Sequence, residues 1–178
     1  SSDVCSSDLL IWYPVRAAFD AGVDRVVLVV GHQRENIRAE IERLFPGRRI
    51  DFVVQEQQLG TAHATMCARD SVADCERAVF MNGDLPLLTG GTVSRVIDAF
   101  EASGRVFALL TAVVAEPGGF GRIIRDDGGV ASIREVRDAT PEELAVGEVN
   151  VGVYVASPAL MFERLSRIGT GNASGEFY

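Results

Sequence analysis

Residues 25–54 read RVVLVVGHQRENIRAEIERLFPGRRIDFVV, and this stretch decides the fold. It opens with an uninterrupted β-branched and apolar run, Arg25–Val30, which is typical of a strand buried on both faces. Apolar residues then recur at helical spacing from Glu35 to Phe45, and Pro46-Gly47 ends that helix. A second strand is predicted at Asp51–Val54. The stretch is therefore a βαβ unit, whose strands should be parallel and joined by a right-handed crossover.

The alternation of helices and strands continues on both sides of this unit. The sequence predicts further helices at 14–21, 61–70, 92–103 and 158–165, and further strands at 78–81, 106–114 and 148–156. Asp126-Asp127-Gly128-Gly129 predicts a hairpin turn between short strands at 123–125 and 130–135. We expect an α/β fold with a mostly parallel, Rossmann-like sheet covered by helices on both faces, and with an added β-hairpin region.

Composition and charge disfavour several classes of protein. The chain has 178 residues, with 17 basic and 25 acidic side chains and a formal charge of −8. This balance disfavours non-specific binding to nucleic acid and to anionic membranes. No apolar run is long enough to span a bilayer. The three cysteines lack metal-ligand spacing and fit a reducing compartment, so we expect a cytoplasmic location.

The first nine residues differ from the rest of the chain. Ser1-Ser2-Asp3 recurs as Ser6-Ser7-Asp8, and no hydrophobic periodicity precedes Leu9. This segment is predicted to be either a non-native remnant or a disordered native tail. Residues 10–178 are expected to form one partial domain.

A glycine turn follows the strand that ends at Val54. The amide of Gln55 carries both a donor and an acceptor, so it can pair with the edge of a pyrimidine. Gly60 permits a close approach of the backbone at the mouth of a helix, and Thr61 could cap that helix and donate its hydroxyl group to a ligand. The alternative is that Leu59-Gly60-Thr61 is simply a strand-to-helix turn.

A carboxylate follows the next strand along the chain. Asp84 lies in the segment Asn82–Leu88, where a proline stiffens the turn, and it is a candidate Mg²⁺ ligand. The alternative is an Asx-turn, in which Asp84 bonds its own backbone. Since Gln55 and Asp84 both lie just past a strand's carboxyl end, we expect them at one edge of the sheet, where ligands of such folds gather.

Four other polar residues are candidates for function or for ordinary structure. His63 has no serine or acid partner at a suitable spacing, so we expect it to be packed or solvated rather than catalytic. Glu135 and Asp138 belong to a charged run, which is usually a solvated face. Asn150 lies inside an apolar strand, where a polar side chain must find a partner or contact a ligand.

Five segments, in order along the chain, resemble the bacterial N-acetylglucosamine-1-phosphate uridyltransferases, the pyrophosphorylase half of the bifunctional GlmU proteins. The segments are 54–64 (VQEQQLGTAHA), 82–87 (NGDLPL), 119–123 (GFGRI), 133–140 (IREVRDAT) and 148–152 (EVNVG). The resemblance runs from about Leu10 to the end of the chain, and it implies a nucleotide-diphospho-sugar transferase fold of the GT-A-like type.

The resemblance also implies roles for individual residues. Gln55 and the Gly60-Thr61 turn would hold uracil, and Asp84 would bind Mg²⁺. The N-acetylglucosamine group would be contacted by Gly121, Glu135 and Asn150. The implied reaction is transfer of UMP from UTP to N-acetylglucosamine-1-phosphate, which gives UDP-N-acetylglucosamine and pyrophosphate for peptidoglycan and lipopolysaccharide precursors. Such chemistry needs positioning and charge neutralisation more than a nucleophile or a general base.

The chain departs from the family pattern at both ends. Family members begin with a strand and a basic, glycine-rich loop, and their second metal ligand, an asparagine, would lie beyond Tyr178. The implied parent is a homotrimer formed through a C-terminal domain, and the fragment alone is expected to be inactive. Two alternatives stay open: another sugar-phosphate nucleotidyltransferase of this fold, and a non-catalytic module that binds a sugar nucleotide.

Overall fold

The computed structural model describes residues 9–31, 34–127, 129–169, 175 and 177. The helices are α1 (Trp12–Asp20), α2 (Arg34–Leu44), α3 (Thr61–Cys67), α4 (Gly90–Ser103), α5 (Pro141–Leu144) and α6 (Pro158–Leu165). The strands are β1 (Arg25–Val30), β2 (Arg49–Val54), β3 (Ala78–Met81), β4 (Phe107–Val113), β5 (Arg122–Asp126), β6 (Gly129–Arg134) and β7 (Glu148–Ala156). The prediction of a non-native or disordered tail falls on residues 1–8, which lie outside the described residues, and on Leu9.

The predicted βαβ unit is confirmed. Strands β1 and β2 are parallel and in register from Arg25↔Arg49 to Val30↔Val54, with α2 between them in sequence. The backbone N–H of Gln55 donates to the carbonyl of Val30 at 2.8 Å, which extends the ladder by one bond. The apolar residues of this unit and of α1 form a buried cluster. It consists of Val15, Phe19, Leu28, Val30 and Ile41.

A second sheet of five strands holds the other strands, and its pairings are antiparallel. Strand β7 lies at its centre, because β3 and β4 both pair with it through Tyr154, Val155 and Ala156, from opposite edges. Strand β5 joins β7 at Val149 and carries β6 on its other side.

The α/β class is confirmed, and the sheets are less parallel than the sequence predicts. The pair β1–β2 is the only parallel one among the described residues. Strands β3 and β4 do run in the same direction, as expected for strands joined by a helix. They are separated because β7, which follows a hairpin and enters in the reverse direction, inserts between them.

Local capping and turn signals account for several element boundaries. The hairpin is confirmed, since β5 and β6 pair from Arg122↔Arg134 to Asp126↔Gly129. Ser157 caps α6, its Oγ accepting from the N–H of Leu160 at 3.3 Å. The helix predicted at 61–70 ends earlier, because the chain tightens after Cys67 into a 3₁₀ turn at Asp70–Val72.

The short helix α5 was not predicted from the sequence. It is held by a capping box, in which Thr140 Oγ1 accepts from the N–H of Glu143 and the Glu143 carboxylate accepts from the N–H of Thr140. The segment Thr140-Pro141-Glu142-Glu143 carries the sequence signal for such a box.

The described residues can be compared with two expectations from composition, the lack of a membrane-spanning segment and the state of the cysteines. Within the part of the chain that the structure describes, none of the helices combines the length and apolar character that crossing a membrane would require. Cys67 and Cys75 are both free thiols.

Candidate functional site

Gln55 lies where β2 ends, and its side chain turns back onto the start of α3. Its Nε2 donates to the carbonyl oxygen of Gly60 at 3.2 Å and lies 2.9 Å from Nδ1 of His63. All three residues are partly buried. We call Gln55, Gly60, Thr61 and His63 the Gln55 cluster.

Glycine is required at position 60 by the backbone conformation. Gly60 has φ +106° and stands as the residue before α3, and its carbonyl also accepts from the N–H of Ala64 at 3.0 Å. The expectation that Thr61 caps the helix is wrong, because Gly60 occupies the cap position and no side chain caps it. Thr61 is instead the first helical residue, and it is exposed.

A residue from the far end of the chain contacts this cluster. The N–H of Phe177 donates to the carbonyl of Leu59 at 2.8 Å, and the carbonyl of Phe177 accepts from Ala62 at 3.0 Å. The Phe177 ring lies 6.4 Å from that of His63, measured between centroids. His63 is therefore packed, as expected, and it also contacts the amide of Gln55, a group that could pair with the edge of a base.

Three predicted residues meet at the junction of β5, β6 and β7. The N–H of Asn150 donates to the carbonyl oxygen of Gly121 at 2.8 Å. A Cβ added at Gly121 would lie 2.9 Å from Oε1 of Glu135, so the carboxyl group lies directly over the glycine. The structure therefore brings Gly121, Glu135 and Asn150 together, although they lie far apart in sequence. We call these three residues and Tyr154 the Asn150 cluster.

Tyr154 joins this cluster through the Asn150 amide, and sequence reasoning missed it. Asn150 Nδ2 donates to the Tyr154 Oη at 2.7 Å, while Asn150 Oδ1 accepts from the N–H of Gly152 at 3.2 Å. Burial raises the pKa of Tyr154; the hydrogen bond from Asn150 opposes this shift, and the charge of Glu135 adds to it. The only sequence signal was a second polar group on the same strand, four residues after Asn150.

Glu135 is held in an environment that disfavours its charge. Burial raises the pKa of its carboxyl group, and the negative charge of Asp138 raises it further. The prediction of a solvated charged face therefore fails for Glu135, which is partly buried, although Arg134, Arg137 and Asp138 in the same run are exposed. A carboxyl group beside a bare glycine backbone can accept hydrogen bonds from a hydroxyl-rich ligand.

A buried arginine supports the loop that carries Gly121. Arg122 is 4% exposed, and its guanidinium donates to the carbonyls of Gly118 at 3.1 Å, of Leu144 at 3.3 Å and of Phe120. These bonds fix the loop 118–121 against α5 and β5. The position of Gly121 over Asn150 is thereby set by side-chain bonding as well as by the strand ladder.

Asp84 is exposed, and its side chain makes no hydrogen bond or ion pair with the described residues. The Asx-turn alternative also lacks a donor, because the residue two positions on is Pro86, which has no backbone N–H. The preceding Asn82 anchors this segment to β7, its N–H donating to the carbonyl of Gly152 at 3.1 Å. The Asp84 segment therefore lies beside the strand that carries Asn150.

Asp84 offers one exposed carboxylate to a metal ion. No group of three His, Cys, Asp or Glu side chains that could hold a metal ion occurs among the described residues. Zinc sites need such a group, whereas Mg²⁺ takes one or two carboxylates and completes its octahedron with water and phosphate oxygens. A single carboxylate such as that of Asp84 could serve as the one protein ligand of such a Mg²⁺ ion.

The expected common sheet edge for Gln55 and Asp84 is not formed by one sheet. Gln55 follows β2 in the two-stranded sheet, and Asp84 follows β3 in the five-stranded sheet. Among the described residues, no hydrogen bond joins the Gln55 cluster to the Asn150 cluster. The structure thus groups the predicted residues as one set at α3 and another at β7, with the Asp84 segment beside the second set.

Comparison with known proteins identifies relatives that align along nearly all of this chain. The chain is 44% identical over 171 residues to the bifunctional protein GlmU of Anaeromyxobacter sp. (strain Fw109-5), and 43% identical over 171 residues to that of Geobacter metallireducens. Each alignment covers 95% of this chain and 35% of the relative, so the chain spans about a third of the length of these curated relatives.

Solved structures share the fold at lower identity. A UDP-glucose pyrophosphorylase complexed with UDP-glucose superposes with a TM-score of 0.69 at 19% identity, covering 94% of this chain and 70% of that one. A putative glucose-1-phosphate thymidylyltransferase from Bacillus anthracis gives a TM-score of 0.66 at 17% identity, covering 89% and 62%. These likenesses confirm the nucleotide-sugar transferase fold.

The family assignment covers nearly the entire chain. Residues 5–171 match the MobA-like NTP transferase domain. The relatives at over 40% identity, the fold neighbours and this match agree with one another. The chain belongs to the MobA-like NTP transferase domain family.

Proposed function

We propose that this domain serves a uridyltransferase that makes UDP-N-acetylglucosamine and pyrophosphate from UTP and N-acetylglucosamine-1-phosphate. The observation that carries the proposal is the assembly of Gly121, Glu135 and Asn150 at one junction of strands. An amide, a carboxyl group and a bare glycine backbone together suit a sugar with several hydroxyl groups and an acetamido group. The similarity to proteins named bifunctional GlmU at 43–44% identity supports the choice of sugar and base.

In this proposal each cluster has one task. The Gln55 cluster binds the uracil ring, and the Asn150 cluster holds the sugar so that its phosphate oxygen faces the α-phosphorus of UTP. The new bond forms between that oxygen and the α-phosphorus, while the bond to the oxygen bridging the α- and β-phosphorus breaks and pyrophosphate leaves. The protein contributes positioning, because holding two reactants in line converts a bimolecular step into an effectively unimolecular one.

Asp84 is the residue that would hold Mg²⁺ beside the phosphates. The ion, when bound, would neutralise charge on the phosphate oxygens. We also propose a cytoplasmic location, no nucleic-acid or membrane partner, and a homotrimeric parent assembled through a C-terminal domain. The location, the partners and the trimer are inferred from the resemblance and do not depend on the chemistry at the two clusters.

A binding panel tests the proposal. UTP with Mg²⁺ should raise the melting temperature of the chain more than CTP or GTP at equal concentration. A ligand at 100 times its dissociation constant stabilises the folded state by about 2.7 kcal/mol. N-acetylglucosamine-1-phosphate should likewise protect better than glucose-1-phosphate. Stronger protection by another base or another sugar phosphate would instead support a different sugar-phosphate nucleotidyltransferase, and binding without turnover in the full-length protein would support a binding module.

Asp84→Ala tests the metal ligand. Because Asp84 is exposed and makes no bond with the described residues, the ligand-free melting temperature should stay unchanged. The Mg²⁺-dependent part of the UTP protection, and Mg²⁺-dependent activity in the full-length protein, should disappear. Asp98→Ala is the matched control, since Asp98 is an exposed aspartate on α4. Unfolding of the Asp84 variant, or an unchanged Mg²⁺ effect, would contradict the assignment.

A further inference from the structure

The orientation of the Gln55 amide is fixed by its two neighbours. A carbonyl oxygen can only accept, so the group that faces Gly60 O at 3.2 Å must be the amide nitrogen of Gln55. The same nitrogen lies 2.9 Å from His63 Nδ1. An amide nitrogen has two hydrogens and no acceptor site, so both hydrogens are used, and Nδ1 of His63 must present its lone pair.

Gln55 Oε1 is left as the free group of this amide. No described residue donates a hydrogen bond to this oxygen. Every buried side-chain oxygen or nitrogen of the described residues has a partner, so an oxygen without one is not buried. As far as the described residues go, Oε1 is therefore open to solvent or to a ligand. Held in this way, Gln55 offers an incoming base a hydrogen-bond acceptor and no donor.

This restriction bears on which pyrimidine the site accepts. Uracil and thymine carry an N–H at ring position 3, whereas cytosine carries a lone pair there. An outward oxygen attracts the first kind of edge and repels the second. If the amide could turn over, its nitrogen would instead pair with cytosine, and the discrimination would be lost.

We propose that His63 is a positioning residue that holds the Gln55 amide with its oxygen outwards, so that the site selects pyrimidines with an N–H at ring position 3. This inference rests on the proposed function, because it concerns the same base site. Gly60 alone supplies one anchor for the amide, and His63 supplies the second. With both anchors the amide cannot rotate without losing two hydrogen bonds.

The test measures the ratio of UTP to CTP affinity in the full chain by isothermal titration calorimetry. The wild-type chain should prefer UTP, and His63→Ala should lower that ratio about tenfold, which corresponds to one lost hydrogen bond of about 1.4 kcal/mol. His63→Asn should restore most of the ratio, because an asparagine Oδ1 accepts where Nδ1 accepted. Cys67→Ala, one turn further along α3 and also partly buried, is the matched control and should leave the ratio unchanged.

A spectroscopic measurement makes the result independent of folding defects in the variants. ¹⁵N NMR of the wild-type chain should show His63 with its proton on Nε2 and with Nδ1 unprotonated. Two results would overturn the inference alone: a proton on Nδ1, or a UTP preference that persists unchanged in folded His63→Ala. A wild-type chain that binds UTP no better than CTP would overturn the proposed function, and this inference with it.

Discussion

Gly152→Ala is predicted to destabilise the fold through two separate costs. Gly152 has φ +81°, a conformation that costs an L-residue about 1–2 kcal/mol. A Cβ there would lie 2.4 Å from Nδ2 and 2.9 Å from Cγ of Asn82. Since Cγ is the second carbon of a short side chain, Asn82 must leave its rotamer, which costs about 1 kcal/mol. The total expected loss is about 2–3 kcal/mol.

Gly22→Ala separates the two costs. Gly22 has φ +83°, almost the same as Gly152, and a Cβ there would meet nothing within 4 Å. The stability lost in Gly22→Ala should therefore reflect backbone strain alone. It is reduced by the stabilisation that alanine brings by lowering the entropy of the unfolded chain. Urea unfolding followed by circular dichroism gives both free energies, and their difference isolates the contact with Asn82. We expect that difference to be about 1 kcal/mol.

A double-mutant cycle sharpens the assignment. In an Asn82→Ala background the obstruction is gone, so Gly152→Ala should cost no more than Gly22→Ala does. The contact also joins the Asp84 segment to β7, so Gly152→Ala, but not Gly22→Ala, should weaken the Mg²⁺-dependent part of UTP binding. The reasoning is refuted if the two glycine variants lose equal stability in the wild-type background, or if removing Asn82 leaves their difference intact.

Two further predictions concern the strands around the Asn150 cluster. Arg125→Met breaks a bidentate pair with Glu148 (2.8 and 2.7 Å) and should lower the free energy of unfolding at pH 7, measured by urea unfolding. Hydrogen bonds from Arg125 and then Thr111 lower the pKa of Glu148 from 4.5 to about 2. The stabilisation by this pair is therefore present above pH 4.5 and is lost as the pH falls towards 2. A loss of stability in Arg125→Met that persists at pH 2 would contradict this assignment. Tyr154→Phe removes the acceptor for Asn150 Nδ2 and should lower sugar-phosphate affinity while leaving UTP affinity unchanged in calorimetry, and an equal loss of both would argue for a purely structural role.

The sequence predicted those parts of the fold that local patterns decide. The βαβ unit follows from an unbroken β-branched run, a helical repeat and a second short run, all within 30 residues, and the register Arg25↔Arg49 to Val30↔Val54 bears this out. The hairpin follows from four turn-forming residues between alternating strands. Each of these elements finds its partner nearby in sequence, so pattern and contact coincide.

The partners of β7 could not be predicted in this way. Its nine residues, Glu148–Ala156, pair with β3 and β4, whose sequences lie about 40 to 80 residues earlier. Alternation of helices and strands indicates that β3 and β4 run the same way, but it does not indicate which strand separates them. That choice depends on non-local pairing, and it is why the second sheet is antiparallel where a parallel one was expected.

In the candidate site, too, some residues could be identified from local sequence, whereas the roles of others depend on contacts that only the structure shows. Residue type and position were enough to single out Gln55 and Asp84, which follow strand ends, and Asn150, which lies inside an apolar strand. The roles of His63 and Tyr154 depend on which atom of a neighbour each one faces, at 2.9 Å and 2.7 Å, and that requires coordinates. The sequence predicted only that His63 is packed or solvated, and it did not single out Tyr154, because residue type and spacing alone do not show that their side chains meet partners eight and four positions earlier.

The position of Glu135 is not explained by a contribution to the stability of the fold. Burial and the charge of Asp138 raise the pKa of its carboxyl group, so the protonated form is favoured in the fold more than in the unfolded chain. The stabilising contribution is therefore full below the ordinary pKa and is lost as the pH rises through the raised one. When it is ionised, the carboxylate, which lies directly over the bare backbone of Gly121, stabilises the fold less than the protonated form does. A charge kept where it weakens the fold is expected of a group that a ligand compensates.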